Sequence, residues 1–192
     1  DKQKTAYAIL RRDWSTVVVN TVGSGTVTRS IPAPYHLGDV VALTPVPAAG
    51  WSFSAWSGAC TGSGACSVTM DAAKTVTATF TQSAYTLTIT SLHGTVAKSP
   101  DKATYTLGEV VQLTATPAAG WSFANWTGDA TGTTNPVSVT MNGNRAVTAN
   151  YTQNEYILTV NTVGSGTVTR SIPAPYHLGD VVALTPMPTA GW

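Results

Sequence analysis

Threonine alternates with valine, leucine and isoleucine along much of this chain, the period-two pattern of strands with one dry and one wet face. The clearest stretch is Tyr85-Thr86-Leu87-Thr88-Ile89-Thr90, which places Tyr85, Leu87 and Ile89 on one side of a strand. A short strand from Gly94 to Ala97 follows a turn, and a third from Glu109 to Thr116 points Val111, Leu113 and Ala115 one way. A Pro117-Ala118-Ala119-Gly120 turn leads to Trp121-Ser122-Phe123, and Asn135-Pro136 turns into Val137–Met141. Asn142-Gly143 predicts a two-residue hairpin, because a type I′ turn needs positive φ at both central positions. Its returning strand would be Arg145 to Tyr151, with Val147, Ala149 and Tyr151 inward. No segment carries helical periodicity.

The same pattern recurs. Tyr35-His36-Leu37-Gly38 answers to Tyr105-Thr106-Leu107-Gly108 and to Tyr176-His177-Leu178-Gly179. Pro47-Ala48-Ala49-Gly50-Trp51-Ser52-Phe53 answers to Pro117 through Phe123, giving a period of 70–71 residues. Such self-similarity predicts a tandem array of small modules. The expected division is the last strand and linker of a preceding repeat (1–14), repeat one (15–84), repeat two (85–155) and an incomplete repeat three (156–192). Residues 4–10 carry the pattern of a closing strand. They are expected to dock on repeat three, whose Leu158, Val160, Val182 and Leu184 would otherwise be uncovered; in a neighbouring copy this gives self-association.

Repeating positions of this kind (alternating Thr and Val, Tyr-x-Leu-Gly, Pro-x-x-Gly-Trp-x-Phe, Trp-[Ser/Thr]-Gly, Thr-Met-[Asp/Asn], a closing Thr-x-Ala strand) resemble the divergent internalin B-type repeat, also described as the Listeria–Bacteroides repeat. The resemblance covers essentially the whole chain. It implies an all-β array of β-grasp-like or sandwich-like modules of about 70 residues on bacterial surface or secreted proteins, used as stalks, spacers or adhesion elements. It carries over no catalytic residue.

Composition narrows the chemistry. Only 10% of residues are charged and the net charge is +1, which gives no electrostatic case for nucleic acid or an anionic membrane. No apolar run is long enough to span a bilayer. Cys60 and Cys66 flank the Thr61-Gly62-Ser63-Gly64-Ala65 loop and read as a disulfide between strands, worth about 2 kcal/mol by loop closure in an oxidising compartment. The alternative is two free thiols in a cytoplasmic protein. Cysteines in the loop after Trp-Ser-Gly also fit the resembled family. Repeat two departs there, with Ala130 at the Cys60 position and Pro136 near that of Cys66.

Trp51, Trp56, Trp121 and Trp126 are the candidate binding residues, since flat aromatics on a β-surface stack on sugar rings. The plainer reading makes them core, because a module this small has little other apolar mass. His36, His93 and His177 read as solvent-facing turn residues. Paired carboxylates could hydrolyse a glycosidic bond, and Asp129 with Glu109 is the pair to judge in three dimensions. Asp39, Glu109 and Asp180 instead share one repeat position, and Asp71 reads as a turn residue. No nucleophile elbow, P-loop, zinc-protease or dinucleotide motif occurs, and no metal or cofactor is called for. Three functions follow: a non-catalytic structural or adhesive module of a bacterial surface or secreted protein, a glycan-binding array on a secreted enzyme, and a carboxylate-dependent glycosidase.

Overall fold

A computed structural model describes residues 15–191 of the chain, and among them there are fourteen strands and no helix. The expected closing strand at residues 4–10 lies outside the described residues, as does Trp192. Contacts divide the chain into two compact units, one reaching Tyr85 and one starting at Thr86.

The first unit is a sandwich of two three-stranded sheets. One has the order β1 (Val17–Val22), β6 (Lys74–Gln82), β4 (Trp51–Gly58); β1 runs parallel to β6 and β4 antiparallel to it. The other has the order β2 (Gly25–Arg29), β3 (Val40–Pro47), β5 (Cys66–Thr69), antiparallel throughout. Alternation places Val41 and Leu43 of β3, Val68 of β5 and Val76, Ala78 and Phe80 of β6 between the sheets, where they pack with Tyr35, Trp56 and Met70. Burying a side chain of this size contributes about 1.5–3 kcal/mol, so the interleaved stripe carries the module. The Phe80 ring lies so close to Gly25 that a Cβ there would stand 2.6 Å from it, which is why a glycine opens β2.

The second unit repeats that order in its first half. β7 (Leu87–Ser91) pairs parallel with β12 (Arg145–Gln153), which pairs antiparallel with β10 (Trp121–Gly128). β8 (Gly94–Ser99), β9 (Val110–Pro117) and β11 (Val137–Thr140) form the facing sheet. Val111, Leu113 and Ala115 are buried together with Val139, Met141, Val147 and Ala149. Both modules carry a bulge at the same place in the tryptophan strand, between Phe53 and Ala55 and between Phe123 and Asn125.

The expected Asn142-Gly143 hairpin is not formed. Val137–Thr140 pairs with β9 and Arg145–Gln153 with β10 and β7, so the turn carries the chain from one sheet to the other. Neither Asn142 nor Gly143 has positive φ. Met141 exchanges two backbone hydrogen bonds with Gly108 and Glu109, while Arg145 and Asn144 bond to Thr86, and these opposed anchors pull the two strands apart.

In the rest of the second unit, β13 (Gly166–Arg170) and β14 (Leu184–Pro188) form a two-stranded antiparallel sheet. Residues 157–163 correspond to β1 and β7 but are irregular, having no partner equivalent to β6 or β12 among the described residues. Leu184 is 45% exposed, and Leu158, Val160 and Val182 are half-buried.

Candidate functional site

The four tryptophans occupy two different environments. Trp56 and Trp126 are 3% and 0% exposed, in the core beside Phe53 and Phe123 at ring-centroid distances of 4.9 and 5.0 Å. The loop after each strand curls over its indole: Nε1–H donates to Gly64 O at 3.1 Å and to Thr134 O at 3.0 Å. Each backbone N–H also donates, to Gly62 O and to Gly132 O. A buried, hydrogen-bonded indole presents no face to a sugar ring, which leaves Trp51 and Trp121 as the candidates for such stacking.

Trp51 and Trp121 are half-buried, and the turn between the first two strands of each module packs against the ring. In repeat one the residue in contact is Gly23, where a Cβ would stand 2.8 Å from Trp51 Cζ3. In repeat two it is His93, whose imidazole stacks on Trp121 at 3.6 Å with an interplanar angle of 2°. His93 is therefore a packing residue rather than the solvent-facing turn residue expected from its Ser-Leu-His-Gly context. Its carbonyl also accepts from Ala118 N–H.

Cys60 and Cys66 form a disulfide with a Cα–Cα distance of 5.7 Å. Cys66 sits opposite Leu43 of β3, and the same register puts Val137 opposite Leu113 of β9. Val137 rather than Pro136 thus stands at the Cys66 position, while Ala130 is 7% exposed at that of Cys60. Repeat two secures this loop differently: Asn135 accepts from Ala115 N–H at 2.9 Å and donates to Ala115 O at 2.8 Å, mimicking one more strand residue.

Six of the described carboxylates are committed to local latches. Asp39, Glu109 and Asp180 each fold back on the preceding turn and accept from the backbone N–H of His36 (2.8 Å), Thr106 (2.6 Å) and His177 (2.7 Å). This closes the Tyr-x-Leu-Gly-[Asp/Glu] tip, and the signal was the fixed spacing of the acid after the glycine. Lys102 pairs with Glu109 and, with the Thr106 N–H, lowers its carboxyl pKa. Asp129 accepts from Ala146 N–H at 2.7 Å and from Arg145 Nη1 at 2.5 Å, and these in that order lower its pKa. Lys74 does the same for Asp71, chiefly through its hydrogen bond. Asp101 pairs with Lys98 at 2.8 Å. Asp129 and Glu109, the pair singled out for hydrolysis, therefore each have their own cationic partner.

Among the described residues no three His, Cys, Asp or Glu side chains gather into a metal-binding group, and no helix is long and apolar enough to cross a membrane. A cleft of about 440 Å³ lies in repeat three, lined by Tyr156, Leu158, Tyr176, Leu178 and Val182 among others. Gly179 and Asp180 border it, and their equivalents Gly38 and Asp39 hold the buried Met70 by two backbone hydrogen bonds. A family model described as the divergent InlB B-repeat domain matches residues 15–84 and again residues 85–155. No curated protein and no solved structure matches the chain.

Proposed function

We propose, from the premise that this chain belongs to the divergent InlB B-repeat family, that it is a non-catalytic structural and adhesive module of a bacterial cell-surface or secreted protein. The observation that carries this reading is the use made of the acidic side chains. Asp39, Glu109 and Asp180 close the same turn in three repeats, and Asp71, Asp101 and Asp129 pair with neighbouring cations. A general acid for glycoside cleavage needs a raised pKa. Here the shifts at Asp71, Glu109 and Asp129 run the other way. Repetition itself favours a mechanical or multivalent role, since copying a module extends reach or multiplies weak contacts. The Cys60–Cys66 disulfide suits an oxidising, extracytoplasmic setting.

A second reading, glycan contact, draws on Trp51 and Trp121, which stay half-exposed in corresponding places. The two readings part in one experiment. The purified chain is applied to a glycan array and to a panel of glycosides, beside Trp51→Ala and Trp121→Ala. The expected result is no cleavage of any glycoside. Array binding lost in both tryptophan variants would put glycan recognition first. Cleavage abolished by Glu109→Gln or Asp129→Asn would overturn the non-catalytic reading.

A further inference from the structure

The link between repeats two and three is anchored at both ends. Asn154, just past β12, donates its backbone N–H to Gly120 O at 2.8 Å, and its side-chain oxygen accepts from Ser122 Oγ at 2.5 Å. Tyr156 donates its N–H to Tyr176 O at 2.7 Å, within a two-residue antiparallel bridge. Glu155 alone separates the two anchors, which leaves the link almost no slack. In repeat one Ser83 makes the corresponding bonds to Gly50 O and to Ser52 Oγ, so the latch belongs to the module.

A side-chain contact adds to the link. Beyond Tyr176 the tip turns at Gly179 (φ +92), closed by Asp180 on the His177 N–H, and Leu178 is carried at its end. Leu178 touches Gly120 along one edge while staying 58% exposed: a Cβ built at Gly120 would stand 2.9 Å from Leu178 Cβ and 3.2 Å from Cδ2. Gly120 also has φ +78, so the position calls for glycine twice, once for the turn and once for the approach. The same partition that separates Tyr85 from Thr86 keeps repeats two and three in one compact unit.

We infer that Gly120, in the Pro117-Ala118-Ala119-Gly120 turn, is the docking point for the leucine tip of the following repeat, and that the Leu178–Gly120 contact makes repeats two and three move as one body. The inference deepens the spacer reading and rests on it for its purpose, since a jointed spacer holds reach only if its joints are stiff. Its chemistry is an apolar knob on a bare glycine backbone, with the linker latched alongside by hydrogen bonds.

The test uses ¹⁵N relaxation of the full chain. Amides of β9 and β12 and those of β13 and β14 should share one rotational correlation time in the unaltered protein. Leu178→Asn removes the knob and should abolish that common value, with the repeat-three amides reporting a shorter correlation time. Gly120→Asn should do the same, because asparagine tolerates positive φ while its Cβ displaces Leu178. Leu37→Asn (the equivalent leucine, 73% exposed) and Gly108→Asn (φ +85, nothing within 4 Å) should leave the common value unchanged. Hydrogen exchange in β9 and β12 reports whether a variant still folds; if Gly120→Asn does not, Leu178→Asn decides. Separate correlation times in the unaltered chain, or a common one that survives Leu178→Asn, would overturn the joint and leave the spacer reading standing. Glycoside cleavage or specific glycan binding would overturn the spacer reading without touching the joint.

Discussion

Gly58 and Gly128 end the tryptophan strands with φ of +91 and +90, and a Cβ on either would stand 2.4 Å from a backbone oxygen, Thr75 O or Ala146 O. Those same carbonyls accept the N–H of Ala59 and of Asp129, so neither can move aside without breaking a hydrogen bond. Gly108 has similar φ (+85) but open space around it. Alanine at Gly108 should therefore cost only the left-handed strain of about 1–2 kcal/mol. Gly128→Ala should cost that and a backbone displacement besides, and equal urea midpoints for the two variants would refute the close approach. Buried Trp126 is the other sensitive residue: Trp126→Ala should destabilise repeat two by about 3–5 kcal/mol. At the carboxylates the sign follows from their lowered pKa values. The stabilisation Glu109 and Asp129 contribute is complete above the ordinary carboxylate range, about pH 4, and is lost as pH falls through their lower folded values. The Thr106 and Ala146 amide signals, bonded to these carboxylates, should titrate below that range. Glu109→Gln and Asp129→Asn should each remove the transition at its own amide, and a transition that persists would sink the latch.

At the level of elements, Asn135 is a residue standing in for a strand. Its amide bonds both backbone groups of Ala115, just beyond the Val137–Leu113 pair where β11 begins. Asn135→Ala removes two hydrogen bonds and leaves Ala115 N–H and O without them, a cost of about 1–3 kcal/mol by chevron or urea midpoint. An unchanged midpoint would mean that water replaces the amide without loss. Strand positions and inward faces were legible in the sequence because alternation is a local property: Val111, Leu113, Ala115, Val147 and Ala149 are buried as their spacing implies. Strand pairing was not. Asn142-Gly143 is a strong local hairpin signal, yet the partners of β11 and β12 are set by long-range contacts, Met141 to Gly108 and Glu109, and Arg145 to Thr86. The aromatic site divides the same way. Tryptophan spacing marked the strands, but only the loops that fold over them separate buried Trp56 and Trp126 from half-covered Trp51 and Trp121. The His93 stack had no sequence signal, since the corresponding turn of repeat one carries Gly23-Ser24 and an extra residue.

Across the whole molecule, one module is built twice, once with a staple and once without, which makes the chain its own control. The Cys60–Cys66 bridge joins the loop over Trp56 to the start of β5, opposite Leu43. Repeat two has Ala130 and Val137 there, with Asn135 tied to Ala115, and folds into the same strand order. The bridge is thus an added stabiliser and not a condition of the fold. A ring this small is worth about 2 kcal/mol, roughly a thirty-fold change in an opening equilibrium. Reduction should accelerate exchange of the slowest amides in β3, β5 and β6 by about that factor and leave those of β9, β11 and β12 unchanged. Cys60→Ala with Cys66→Val transplants the repeat-two pair and should reproduce the reduced protein's exchange or improve on it, because an alanine and a valine fill these positions in the second module. Mass spectrometry of the unreduced protein should detect no alkylatable thiol. If reduction instead unfolds repeat one, or loosens both repeats equally, the disulfide is not the local and dispensable staple that the two modules describe.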